Sequence, residues 1–182
     1  MFPLGVFLVF HLYENSFGLA GPVAYDARIH SLRSLPYLLP IEIALIYVPL
    51  AFHAGYGLYI WYTGKNNFPQ YCHVRNGLYT FQRLTGVVTL LFVIYHVIDQ
   101  RLLPMPSYFT VRASLSHPAV FGLYFVGIAA AALHLGSGIW NFFVKWGVTI
   151  GQNAQSLSLK VFGAAGVLLA LVGLRALTGF MG

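Results

Sequence analysis

Twenty-five consecutive residues, Leu38 to Tyr62 (LLPIEIALIYVPLAFHAGYGLYIWY), carry one formally charged side chain, Glu42. A helix crosses a bilayer with about 20 apolar residues at 1.5 Å rise each. This stretch is therefore long enough to span, and comparable stretches recur at 78–98, 120–144 and 159–180. Only 8% of the 182 residues are charged and 58% are hydrophobic, against about 25% charged in soluble domains. That balance argues against a water-soluble fold. The net charge of +6 comes from ten basic and four acidic residues, with no basic stripe to suggest a nucleic-acid partner. The single cysteine, Cys72, rules out an intrachain disulfide framework and a cysteine-rich metal site. It reads as a loop thiol outside any intrachain disulfide.

Met1 to Leu12 is apolar but short, reaching only about 18 Å as a helix. It lacks the basic region and small-residue cleavage site of a signal peptide. It is expected to be the later half of a helix that begins ahead of Met1. A Gly/Pro-containing linker and a polar segment, Tyr25 to Ser34, follow. In the second span Pro49 is interior, four residues before His53; it should kink the helix and free the carbonyl of Leu45. The loop Thr63 to Gly77 holds Lys65, Asn66, Asn67, Pro69, His73 and Arg75. Asp99, Gln100 and Arg101 should stop the third span ahead of Pro104 and Pro106. The last span is rich in Gly and Ala, which suits close helix packing. The expected fold is an all-α membrane protein: a single domain, 1–182, forming a five-helix transmembrane bundle with approximate spans 1–13, 38–62, 78–98, 120–144 and 159–180.

Four histidines fall inside these spans. Successive spans alternate in direction; let the first run from face A to face B. His53 lies nine residues before Tyr62 and His134 ten before Val144, both ends at face A. His11 lies three residues before Glu14 and His96 three before Asp99, both ends at face B. The spacing thus predicts two histidine pairs in two layers roughly 15 Å apart. Each pair comes from alternate helices, the first with the third and the second with the fourth. An imidazole in lipid is costly unless satisfied, and two imidazoles facing across a bundle at one depth are what bis-histidine haem ligation requires. Both His53-Ala54-Gly55-Tyr56-Gly57 and His134-Leu135-Gly136-Ser137-Gly138 read H-x-G-x-G; glycines there would let a flat porphyrin approach the backbone. The expected arrangement is two haems stacked across the membrane.

Other residues carry two readings each. Arg83, with Gln82, Arg33 and Arg101, could meet haem propionates, while an interfacial snorkelling arginine is the plainer reading of Arg83. Glu42, eleven residues before His53, is either a helix-start carboxylate favoured by the dipole or a proton-exchanging group beside the outer haem. His30, His73 and His117 lie in polar or helix-start segments and read as ordinary surface residues.

The segments LPIEIALIYVPLAFHAGYGLYI and LYTFQRLTGVVTLLFVIYHVIDQR, with the stretch Tyr124 to Trp140, resemble the cytochrome b membrane-anchor subunit of succinate:quinone oxidoreductases (succinate dehydrogenase and fumarate reductase). The resemblance is to the two-haem, single-polypeptide type found in Gram-positive succinate:menaquinone reductases, and it covers nearly the whole chain. It implies five helices holding two b haems, with His53 and His134 on a proximal haem and His11 and His96 on a distal one. It implies that face A is cytoplasmic, under a flavoprotein and an iron–sulfur subunit, in a bacterial cytoplasmic membrane. The basic residues do not set this orientation, since five fall toward each face. The family usually carries further residues before the match to Phe2-Pro3-Leu4-Gly5.

The functional expectation is a dihaem anchor passing electrons from the flavin and iron–sulfur subunits to membrane quinone, of menaquinone type, or from quinol to fumarate. No succinate chemistry would occur in this chain itself. Glu42 would exchange quinone protons, with Asp99 as a second candidate. Two alternatives remain at this point: a dihaem anchor of a hydrogenase or formate dehydrogenase, and a haem-free membrane transporter.

Overall fold

The computed structural model describes residues 2–65, 70–102 and 106–181. Met1, the loop residues Asn66, Asn67 and Pro69, and Pro104 after the third span lie outside the described residues. The described chain is helical with no strand. It runs α1 (Phe2–Asn15), a 3-10 turn (Ser16–Ala20), α2 (Pro22–Arg33), α3 (Leu38–Thr63), α4 (Val74–Leu102), α5 (Tyr108–Leu115), α6 (Pro118–Lys145) and α7 (Gln152–Thr178). Four of these, α3, α4, α6 and α7, are long and apolar enough to cross a membrane; α1 has 14 residues.

The membrane-length helices extend past the apolar stretches read from the sequence. α4 begins at Val74 and α7 at Gln152, each with polar residues in its first turns. Hydropathy marks the part of a helix that lies in lipid, while the backbone hydrogen bonds continue into the interface. Asp99, Gln100 and Arg101 do not stop α4 but form its last turn, which is π-helical. The segment Tyr25 to Ser34, read as polar, is mostly helix: Pro22 opens α2 in the first turn, where a missing N–H costs nothing.

α3 departs from regular geometry where the sequence places Pro49. Ile43–Tyr47 forms a π-helical turn, and the Val48 N–H bonds back to the Ile43 carbonyl. Pro49 has no N–H for the Leu45 carbonyl and its ring crowds that group. The wide turn accommodates this within a continuous helix instead of a break.

Small residues set the closest helix contacts. A Cβ at Gly136 on α6 would lie 2.5 Å from the Phe162 carbonyl and 3.0 Å from Gly166 Cα on α7. α6 and α7 therefore touch backbone to backbone, as membrane helices do where dispersion drives association. α4 packs on the other side of α6, with the Phe92 ring of α4 filling the space over Gly127.

The main apolar core lies at the face-B end. Tyr25, Phe92, Tyr108, Val111, Leu115, Tyr124, Leu177 and Phe180 are buried together there. α2 and α5 cover the bundle end like a plug, and side chains satisfy the exposed backbone ends. Ser107 and Thr110 form a capping box at the start of α5. Asp26 Oδ1 accepts from the Tyr108 N–H at 2.7 Å, and the Tyr108 hydroxyl donates to the Gly179 carbonyl at 2.8 Å. Arg28 binds Glu14 through two hydrogen bonds of 2.8 and 2.5 Å; Glu14 is buried and fully engaged. Burial, with the Asp26 charge adding to it, pushes the Tyr25 phenol up to about 12.

If backbone contact between α6 and α7 holds the bundle, Gly136→Val should cost about 1–3 kcal/mol through overpacking. Gly163→Ala, where a Cβ meets nothing within 4 Å, should leave stability level or slightly higher. Thermal unfolding of the detergent-solubilised protein measures both.

Candidate functional site

The four histidines of the apolar stretches meet as two pairs. The His53 and His134 rings, from α3 and α6, lie 6.0 Å apart between centroids at 68°. The His11 and His96 rings, from α1 and α4, lie 5.5 Å apart at 74°. The pairing is first with third and second with fourth, as the depths along the sequence require.

Each imidazole is held by its surroundings. His134 Nδ1 lies 3.1 Å from the Gln82 carbonyl and 3.3 Å from the Thr85 hydroxyl, whose own proton goes to backbone carbonyls. Both can only accept, so Nδ1 carries the proton and Nε2 keeps its lone pair. The Gln82 amide donates to the His134 carbonyl at 3.2 Å, with Nε2 of the ring 3.4 Å away. Ser137 donates to the Gln82 side-chain oxygen. Gly86 makes the room: a Cβ there would come 2.9 Å from His134 Cε1. His96 stacks on Phe92 (5.5 Å, 29°) and its Nδ1 faces the Tyr124 hydroxyl at 3.3 Å. Tyr124 donates its proton to Asp99, so again Nδ1 is the donor. His11 stacks on Phe7 (5.3 Å, 27°), and its Nε2 faces the donating amide of Asn15 at 3.4 Å. Wherever hydrogen bonds fix the tautomer, the lone pair is on Nε2, the form in which histidine binds a metal while its second nitrogen is oriented by the protein.

The donor set fits a haem and not a bare ion. Among the described residues no three His, Cys, Asp or Glu side chains cluster to hold a metal, and a protein-bound zinc takes three or four protein ligands. A haem brings four nitrogens of its own and asks the protein for two axial imidazoles. The ground beside His53 is suited to a flat group: a Cβ at Gly55 or Gly57 would meet nothing within 4 Å, and no residue of α3 is buried by its neighbours.

α3 is tied to the bundle at three depths. Near face B, Arg101 of α4 donates to Glu42 at 2.7 Å. In the middle stands the His53–His134 contact. Near face A, Arg83 of α4 donates to the Ile60 carbonyl at 2.7 Å and the Gly64 carbonyl at 3.4 Å, its guanidinium 4.1 Å above the Tyr79 ring. Arg83 thus closes the last turn of α3, and its buried Nε has no hydrogen-bond partner among the described residues. That orphaned N–H is a donor an anionic group could use. Of the other groups named for propionates, Arg101 is engaged by Glu42, and the Gln82 amide is spent on His134.

Sequence reasoning did not single out Thr85, Gly86 or Tyr124. Thr85 and Gly86 sit one turn into the apolar part of α4, where nothing marks them among other small residues. Tyr124 lies ten residues before His134 and is one of 12 tyrosines; composition sets it beside lipid-facing aromatics, whereas the fold buries it.

Imidazoles paired between apolar helices are the ligand set that a membrane cytochrome uses. The description "Succinate dehydrogenase/Fumarate reductase transmembrane subunit" is that of the family whose model matches residues 65–173. The chain is also 40% identical over 183 residues to the succinate dehydrogenase cytochrome b558 subunit of Bacillus subtilis (strain 168), covering 98% of this chain and 91% of that protein. It belongs to this family, as a membrane cytochrome b subunit of succinate dehydrogenase. No solved structure matches it. Family membership sets it apart from the hydrogenase and formate dehydrogenase anchors and from the transporter considered on sequence grounds.

The Glu42–Arg101 tie yields a stability test. Arg101→Leu leaves Glu42 without its donor and should cost about 1–3 kcal/mol. The Glu42→Leu/Arg101→Leu double variant should recover part of that loss, since no charge is left unpaired. Denaturant unfolding in detergent, arranged as a double-mutant cycle, reads the difference.

Proposed function

We propose that this chain is the two-haem anchor of a bacterial succinate dehydrogenase, linking a flavoprotein and an iron–sulfur subunit to quinone in the cytoplasmic membrane. The observation that carries the reading is the meeting of four histidines as two pairs on alternating helices. His53 and His134 would hold the proximal b haem and His11 and His96 the distal one. Bound there, the two groups would supply one-electron carriers in two layers between the extrinsic subunits and the quinone.

The chain's own residues hold, orient and insulate. Gln82 and Thr85 fix the His134 ring from behind, and Gly86 admits it. Phe7 and Phe92 cover the faces of His11 and His96 and keep water from that layer. Arg83, through its unpartnered Nε, would meet a propionate of the proximal group. The chain performs no succinate chemistry; quinone, of menaquinone type, would react near face B. Glu42 would exchange the quinone protons there, and its hydrogen bond from Arg101 must open or be shared when it does so. Face A, with the start of α4 and the end of α6, would receive the iron–sulfur subunit.

Pyridine haemochrome quantitation on the purified complex, beside reduced-minus-oxidised spectra, tests the reading. Two b haems per chain are expected. His53→Ala and His134→Ala should lose the same haem, and His11→Ala and His96→Ala the other. One haem in the native complex, or a different pairing of losses, overturns the arrangement. Glu42→Gln should slow quinone turnover while both haem spectra persist; unchanged turnover removes Glu42 from the proton step.

A further inference from the structure

Behind His96 stands a chain of hydrogen bonds that ligation alone does not use. The Tyr124 hydroxyl, 3.3 Å from His96 Nδ1, donates to Asp99 Oδ2 at 3.0 Å. The same oxygen accepts from the Gln100 amide at 2.7 Å, and Asp99 Oδ1 accepts from the Ser114 hydroxyl at 3.2 Å. Three donors converge on one carboxyl group, so Asp99 acts as an acceptor throughout. Tyr124 is buried, with Phe92, His96 and Tyr95 packed about its ring at 5.3, 5.6 and 6.4 Å. Its single proton is committed to Asp99, and it can only accept from the imidazole.

The other layer lacks this feature. His134 Nδ1 faces a backbone carbonyl and a threonine hydroxyl, both uncharged. The two layers therefore present their iron with imidazoles of unequal character. A phenol that gives its own proton to a carboxylate is a stronger acceptor, and an Nδ1–H donating to it leaves Nε2 more basic. A more basic axial nitrogen favours ferric over ferrous iron and lowers the potential, second-shell hydrogen bonding being one of the protein's levers on a haem.

We infer that Tyr124, anchored by Asp99, is a positioning residue that fixes the His96 ring and lowers the midpoint potential of the haem held by His11 and His96. The inference rests on the two-haem reading above. Asp99, a candidate for proton exchange on sequence grounds, then has a different role, because its charge reaches the iron through a tyrosine and an imidazole.

The test is a redox titration of the intact complex carrying Tyr124→Phe or Asp99→Asn, followed in the haem absorption bands, with haem quantified on each sample. Tyr124→Phe removes the link; Asp99→Asn keeps a side chain of the same size while removing its charge. In both variants the same one of the two haem transitions should move to higher potential and the other should stay. A tenfold change in the one-electron equilibrium, equal to 59 mV, is the size expected. Two haems with unmoved potentials in either variant overturn the inference and leave the two-haem reading standing. Equal movement of both transitions overturns it as well, because the effect would then be general. Loss of the same haem from both variants would make the pair a structural support and not a tuning one, and also overturns it. A native complex with one haem sinks the underlying reading instead.

Discussion

An imidazole within a bilayer has no solvent to turn to, and every polar atom it carries must be answered by protein or by a ligand. This chain answers with groups from its own helices. Backbone carbonyls, a threonine, a tyrosine and an asparagine amide orient the rings. The rings come together in two pairs across the bundle. The close approach of α4 and α6 serves that need at Gly86, which admits the His134 ring, while Gly127 and Gly136 let α6 meet Phe92 and the backbone of α7.

The two ends of the bundle are built differently. At face B, short helices, capped termini and a doubly bonded Arg28–Glu14 pair close over an aromatic core. At face A the links are thinner. Arg83 closes α3, Trp140 donates to the Gln155 carbonyl at 3.0 Å, and Arg75 reaches Gln155 at 2.5 Å. The thinner packing at face A fits the docking of the extrinsic subunits proposed there.

Much of this is legible in the sequence, because bilayer thickness converts residue counts into depth. Counting from helix ends alone places His53 with His134 and His11 with His96, and family membership follows from the same segments. The counts cannot show what stands behind each ring. Thr85 and Tyr124 matter through direction, and direction depends on helix rotation and crossing, which hydropathy does not report. Nor can they find α2, whose polar residues cover the bundle end and satisfy its backbone without entering lipid. Gln82 and Arg101 stand out in the sequence as polar groups near the ends of α4, but their partners are His134 and Glu42.

The π-helical turn at Ile43–Tyr47 gives α3 two aims. In an unbroken α-helix eleven residues make about three turns, so Glu42 and His53 would point the same way. Here they do not: Glu42 meets α4 through Arg101, and His53 meets α6 through His134. The wide turn acts as a phase shifter between two straight segments. One residue more or less within it re-aims everything downstream by about 100°, so His53 and the face-A end of the helix turn together while Glu42 keeps its aim.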